Sequence, residues 1–142
     1  MSGGVGGSGN TTSTTVNTAL QGDGGSGDDI LVGGGGNDTL IGGLGNDTVN
    51  YSESYDAVSV NLASAAAQQG GDAQGDILSS IENAIGSEFD DIITGSNAKN
   101  VLNGGDGNDT LTGGAGNDSL FGENDDDILI GAVRDDDGGS DA

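Results

Sequence analysis

From Gly24 onward the chain sets one large aliphatic residue in every nine, surrounded by glycine and small polar residues. The first run reads GGSGDDILV, GGGGNDTLI and GGLGNDTVN, with Leu31, Leu40 and Val49 in step. A second run starts at Gly86 with GSEFDDIIT, GSNAKNVLN, GGDGNDTLT, GGAGNDSLF and GENDDDILI. It keeps Ile93, Leu102, Leu111, Leu120 and Leu129 at the same eighth position. A frayed copy, GAVRDDDGG, follows from Gly131 and carries Gly138 where the aliphatic should be. Helix is no competitor, because each interior glycine costs it about 1 kcal/mol. Each copy predicts a short strand such as Thr39-Leu40-Ile41, whose middle side chain points one way and its neighbours the other. Glycines at positions one, two and four predict tight turns, since positive φ is open to them. Two turns and two strands close a coil of 18 residues, so turns of like parity stack on one edge. The position-eight aliphatics then line a narrow interior.

The frame breaks between the runs. Gly42 and Gly86 lie 44 residues apart, which is no multiple of nine, so the runs are not one unbroken array. Within the gap, Val58-Ser59-Val60-Asn61-Leu62 alternates apolar and polar and predicts a half-buried strand. Ala63 to Gly75 reads as a loop, and Ile77 to Ile85 fits strand or short helix about equally. The expected organisation is a flexible Gly/Ser/Thr-rich tail at 1–20 and a first repeat block at 21–50. An insert at 51–85 extends the roll with wider, irregular rungs and holds Tyr51 and Phe89 against the core. A second repeat block at 86–137 and an acidic tail at 138–142 complete the chain. The fold class is all-β.

Composition changes the picture from fold to chemistry. The chain has 24 acidic residues, 20 of them Asp, against Lys99 and Arg134, for a net charge of −22. Low hydrophobicity with high charge leaves a chain unfolded unless something else supplies folding energy. Nucleic acid is excluded as that partner, because polyphosphate binding needs a basic stripe. An anionic membrane surface would repel the chain, and no 18-residue apolar run predicts insertion. Without cysteine or histidine, disulfides and most zinc, copper and iron sites drop out. Hard oxygen ligands remain, and these suit calcium.

Eight of the nine copies carry Asp at position six: Asp29, Asp38, Asp47, Asp91, Asp109, Asp118, Asp127 and Asp136. The exception is Asn100. This phase-locked GGxGxDxUx series, with U a large apolar residue, resembles the RTX (hemolysin-type) calcium-binding repeats of secreted bacterial toxins, proteases, lipases and adhesins. The resemblance implies a parallel β-roll, a right-handed β-solenoid with Ca2+ in the turns, here in two repeat blocks separated by an irregular insert. It also implies that position-six aspartates bridge several Ca2+ ions, with main-chain carbonyls of the turn glycines as further ligands. Carried over, the metal-ligating residues are Gly25, Gly27 and Asp29, Gly34, Gly36 and Asp38, and Gly43, Gly45 and Asp47. In the second block they are Asp91, Gly105, Gly107, Asp109, Gly114, Gly116, Asp118, Asp127 and Asp136. The 18-residue coil pairs the turn at Gly24 with that at Gly42. The turn at Gly104 faces those at Gly86 and Gly122, and the turn at Gly113 faces those at Gly95 and Gly131. Departures matter: Phe89 replaces a glycine, Ala98 and Asn100 remove both glycine and carboxylate, and Asp125 replaces glycine near Asp127. Firm calcium is expected around Gly104 and Gly113, and weak or missing calcium around Gly95.

Other motifs carry less. Gly22 to Gly27 spells GxGxxG, but no strand precedes it and no helix follows. The sequons at Asn37, Asn46, Asn108 and Asn117 are by-products of the repeat. EF-hand helices and their closing Glu are absent. Carboxylate pairs abound, yet two Tyr and two Phe make a poor sugar platform, and no enzyme activity is expected. Position three holds no threonine ladder, which discounts ice binding.

The expected function is a non-enzymatic structural module that folds on Ca2+ binding in an exported or surface protein. Extracellular calcium sites have affinities of about 10⁻⁴–10⁻³ M, so folding would wait until the chain leaves a calcium-poor cytoplasm. The predicted location is extracellular or at the cell surface. No N-terminal export signal is read, and the DDDGGSDA end lacks an apolar C-terminal export signal. The chain is therefore expected to be part of a longer secreted chain or a small protein delivered otherwise. One alternative is a decoration or assembly protein of a larger particle, a surface layer or a virus capsid with a virion location. Another is a polysaccharide-binding module.

Overall fold

The computed structural model describes residues 21–131. The tails expected at 1–20 and 138–142, and Asp136, lie outside the described residues. Twelve short strands follow one another: β1 (Gln21–Ser26), β2 (Ile30–Leu31), β3 (Thr39–Leu44), β4 (Thr48–Asn50), β5 (Ser59–Asn61) and β6 (Ile77–Ser79). Next come β7 (Asn83–Ile85), β8 (Ile92–Thr94), β9 (Val101–Gly105), β10 (Thr110–Thr112), β11 (Ser119–Glu123) and β12 (Ile128–Ile130). A single 3-10 turn at Gly71–Ala73 is the only helical element among the described residues. No helix among them is long and apolar enough to cross a membrane.

Every strand pairs in parallel, and the fold is a parallel β-roll. One sheet has the order β2-β4-β7-β9-β11. The remaining strands form β1-β3-β6 and β5-β8-β10-β12. Register is carried by the position-eight side chains: Leu31, Val49, Ala84, Leu102 and Leu120 form one column. Val60, Ile93, Leu111 and Leu129 form another. Leu31, Leu40, Val49, Ile93, Leu102 and Leu111 are fully buried, as alternation on a strand with one inward face requires. The column opens at its C-terminal end. Leu120 is half-buried and Leu129 is 47% exposed, because no described rung stacks beyond β12. The expectation that the position-eight aliphatics line a narrow interior does not hold at Leu129.

The break in the repeat does not break the five-stranded sheet. Thr48 and Asn83, 35 residues apart, are direct neighbours, so one wide rung joins the runs. On the other face the insert contributes two strands: β6 continues from β3, while β5 joins β8. Gln68 and Gln69 lie between them, with Ser59 N–H donating to Gln69 O at 2.8 Å and Gln68 N–H to Asp76 O at 2.8 Å. The segment left open between strand and helix is two strands, separated at Ser80 by a positive φ of 55°. Strand wins there because the edges of β3 and β4 offer unpaired backbone groups, used by Ile77 N–H to Asp38 O and Asn83 N–H to Asp47 O, each 2.8 Å. Tyr51 is buried in the core, but Phe89 is 42% exposed, contrary to expectation. Phe89 occupies the fourth position of a turn, where the chain reverses and no inward strand face is available.

Candidate metal-binding turns

The glycine turns share one backbone. Positions two and four are left-handed, with φ of 92° and 108° at Gly25 and Gly27 and 98° and 125° at Gly43 and Gly45. Gly34, Gly36, Gly105, Gly107, Gly114 and Gly116 repeat this. The carbonyl oxygens of Gly25 and Gly27 point at the α-carbons of Gly43 and Gly45, and a Cβ there would overlap them. Position one works differently from the expectation of positive φ. Gly24, Gly33, Gly42, Gly104 and Gly113 do not have positive φ. They are glycine for space, since a Cβ on Gly24 would sit 2.6 Å from Asp29 Oδ2 and one on Gly113 2.5 Å from Asp118 Oδ2.

Position six builds a ladder along each edge of the roll. Its backbone N–H donates to the carboxylate one rung on: Asp29 to Asp47 Oδ1 at 2.9 Å, Asp91 to Asp109 Oδ1 at 2.8 Å, and Asp109 to Asp127 Oδ1 at 2.9 Å. Asn100 N–H donates likewise to Asp118 Oδ1 at 2.9 Å. The second carboxylate oxygen turns inward over the position-one glycine. At Asp29, Asp47, Asp109 and Asp118 that Oδ2 is buried with no hydrogen-bond partner. Burial raises the Asp47 carboxyl above its ordinary value and pushes Asp109 up to about 6, each also raised by the neighbouring aspartates. A stack of desolvated, like-charged carboxylates is costly unless a cation joins it.

The donor set fits calcium. It consists only of oxygen, from aspartates and from glycine carbonyls that face side-chain-free glycines on the next rung. Among the described residues no three acidic side chains converge, so main-chain carbonyls must complete any coordination shell. The structure stacks Gly25, Gly27 and Asp29 on Gly43, Gly45 and Asp47. It stacks Gly105, Gly107 and Asp109 against the turn of Asp127, where Glu123 and Asp125 adopt φ of 81° and 77° and so keep the glycine geometry. Gly114, Gly116 and Asp118 face the turn of Asn100. Beside Gly34, Gly36 and Asp38 lies the turn closed by Asp76, in which Gly75, with φ of 91°, packs on Asn37; Asp38 N–H donates to Asp76 Oδ1 at 2.8 Å.

Two turns depart from this geometry. Around Asp91 and Asn100, position two is serine, and neither position two nor position four has positive φ. Ser87 N–H and Oγ donate to Asp91 at 2.5 and 2.8 Å, and Phe89 N–H donates to Ser87 Oγ at 3.0 Å. Ser96 N–H donates to Asn100 Oδ1 at 2.7 Å, and Ala98 N–H to Ser96 Oγ at 3.2 Å. Asp91, expected as a ligand, accepts these hydrogen bonds within its own turn.

Three groups of residues escaped the sequence reading. Asp76 and Glu82 stand at position six of the wide rung, accepting from Asp38 N–H and Asp47 N–H. The Asp76-Ile77-Leu78 triplet repeats the Asp-x-aliphatic signature, hidden because 38 residues separate it from Asp38 in place of the 18 of a regular coil. Position five makes a second ladder: Asn46 N–H to Asp28 Oδ1 at 3.0 Å, and Asn108 N–H to Asp90 Oδ1 at 2.9 Å. The Asn or Asp recurring there was its signal. The serines of position two are the third group.

The family model described as RTX calcium-binding nonapeptide repeat (4 copies) matches residues 23–56, 79–111 and 103–136, more than half of the chain. No curated protein matches the sequence.

Proposed function

The chain belongs to the RTX calcium-binding nonapeptide repeat family, and from that premise we propose that it is a non-enzymatic structural module of an exported or surface protein that completes its fold as several calcium ions enter its turns. The observation that carries this reading is the row of buried, partnerless aspartate oxygens at Asp29, Asp47, Asp109 and Asp118. Gly25, Gly27, Asp29, Gly43, Gly45 and Asp47 would hold calcium on one edge. Gly105, Gly107, Asp109 and Asp127 would do so on the other, with Gly34, Gly36, Asp38, Gly114, Gly116 and Asp118 as further ligands. Bound calcium supplies positive charge and an oxygen-hungry coordination shell to these carboxylates and carbonyls. The residues themselves aim carbonyls along the stacking axis, exclude side chains from the gap and stack carboxylates at each coil. The cost of charge repulsion in the free chain becomes the driving force for metal-coupled folding. Millimolar calcium added to chelated protein should increase the β-type far-ultraviolet circular dichroism signal. An identical spectrum in excess chelator and in calcium overturns the reading.

A further inference from the structure

The two serine turns follow each other along the chain, one on each edge, and the wide rung lies directly before them. In this stretch buried polar atoms are satisfied by the protein itself. Asp91 Oδ1 accepts from Ser87 Oγ at 2.8 Å and Val58 N–H at 2.7 Å, and its Oδ2 accepts from Ser87 N–H at 2.5 Å. Asn100 replaces a carboxylate with an amide, whose Nδ2 donates to Glu82 O at 2.6 Å and Ser96 Oγ at 3.2 Å. Asp76 accepts from Tyr51 OH at 2.8 Å and Asp38 N–H at 2.8 Å. Ser54 Oγ donates to Asp56 O at 2.7 Å and accepts from Asp72 N–H at 2.9 Å, closing the insert loop. No buried side-chain oxygen or nitrogen between residues 48 and 108 lacks a partner, in contrast to Asp47 on one side and Asp109 and Asp118 on the other. This stretch also holds the one aromatic of the core, Tyr51, together with Val58, Val60, Leu78, Ile81, Ile93 and Leu102.

We propose that residues 50–103 form a metal-independent body in which seryl hydrogen bonds take the place of calcium, and that calcium acts on two separate groups of turns flanking it, at 24–47 and 104–127. The geometry of position two decides which kind a turn becomes. A left-handed glycine directs its carbonyl at the next rung, as the serines also do, but brings no side chain to the position-six oxygen and leaves it to a cation. A serine keeps ordinary φ and brings a hydroxyl and an N–H onto that same position-six side chain, so the donors a cation would replace are already in place. The inference rests on the calcium reading for the flanking turns and adds that the chain without calcium is folded at its centre and open at both ends.

Hydrogen–deuterium exchange of the full chain, read residue by residue in excess chelator and in millimolar calcium, tests it. In chelator the amides of Val58, Ser87, Phe89 and Ser96, whose acceptors lie inside 50–103, should exchange about 100-fold more slowly than those of Asp29 and Asp109, whose acceptors lie in the flanks. Calcium should then slow the flanking amides to match. Uniformly fast exchange in chelator with uniform protection in calcium overturns the metal-independent body and leaves the calcium reading standing. Uniform protection in both solutions overturns both. A second arm converts the lock into a glycine turn by combining Ser96→Gly, Ala98→Gly and Asn100→Asp. Protection of residues 95–103 in chelator should fall to the flanking level and return with calcium, and native mass spectrometry should count at least one more bound calcium. Unchanged protection in chelator or an unchanged calcium count overturns the role given to serine.

Discussion

The turns at 95–100 and 113–118 are neighbours on one edge of the roll, built on the same nine-residue frame, and they solve one problem in opposite ways. Each must bury the position-six side chain over a position-one glycine. In the later turn, Gly114 and Gly116 take φ of 92° and 105°, and Asp118 keeps a buried oxygen with no partner. In the earlier turn, Ser96 and Ala98 keep ordinary φ, and Asn100 is satisfied by Ser96 and by Glu82 O. One turn imports its counter-charge and the other removes the need for it. Stability dependent on an outside ion is therefore a local choice, made by a few side chains per turn, and not a property of the whole repeat.

The largest effect expected from breaking this contrast is Gly43→Ala. The alanine would be forced into φ of 98° with its Cβ on Gly25 O, so it should cost about 3 kcal/mol and abolish the calcium-induced gain in the first block. Thermal melts in millimolar calcium, together with exchange protection at Asp29, check this. Ser96→Ala meets no such backbone barrier. It removes the acceptor for Ala98 N–H and for Asn100 Nδ2, so a loss of about 1–2 kcal/mol is expected. That loss should be the same in chelator and in calcium. A loss seen only in calcium would mean that the serine turn is a metal site after all.

The regular part of this contrast was legible from residues alone, because a glycine or an aspartate recurring every ninth position has one structural reading. Leu31, Leu40, Leu102 and Leu111 could be placed inside before any coordinates, since strand alternation leaves them one face. The turns of Ser87 and Ser96 show themselves in the sequence only by the glycines lost at Phe89 and Ala98, because a missing signal is easier to see than its replacement. Their role depends on a hydroxyl reaching a side chain four residues on, which spacing alone does not reveal. Asp76 and Glu82 were hidden by changes in rung length, 38 and 35 residues in place of 18. Phe89 misled because hydrophobicity was weighed before its place at a turn.

Asp109→Asn sharpens the comparison by writing the Asn100 solution into a glycine turn without its serine. In chelator the change removes a charge lying beside Asp91 and Asp127, so the open flanking turn should gain exchange protection. In calcium it removes a proposed ligand, and affinity at that edge should fall about tenfold or more, measured by isothermal titration calorimetry. The two signs must be opposite; a loss of stability in both solutions would mean that Asp109 acts through its hydrogen bonds and not through its charge.

The effect most discriminating between centre and flanks is that of pH. Burial pushes Asp109 up to about 6 and Asp76 up to about 7, both above the unfolded value of about 3.9. A carboxyl whose folded value is raised binds protons more readily in the native state, so its charged form weakens the fold as pH rises through that value. In chelator, stability should therefore increase as pH falls from 7.5 to 5. The centre should respond first, around 7 where Asp76 titrates, and the flanking turn of Asp109 nearer 6. In calcium the flanks should reverse, because protons compete with the metal for the same carboxylate, and affinity should drop over that interval. The centre, where Asp76 is held by Tyr51 OH and Asp38 N–H, should keep the sign it has in chelator. Exchange protection followed at Ser87 and Asp109 across this pH range, with and without calcium, would separate the two. Identical pH responses at both residues in calcium would mean that the roll responds to the metal as one unit and that its centre is not set apart.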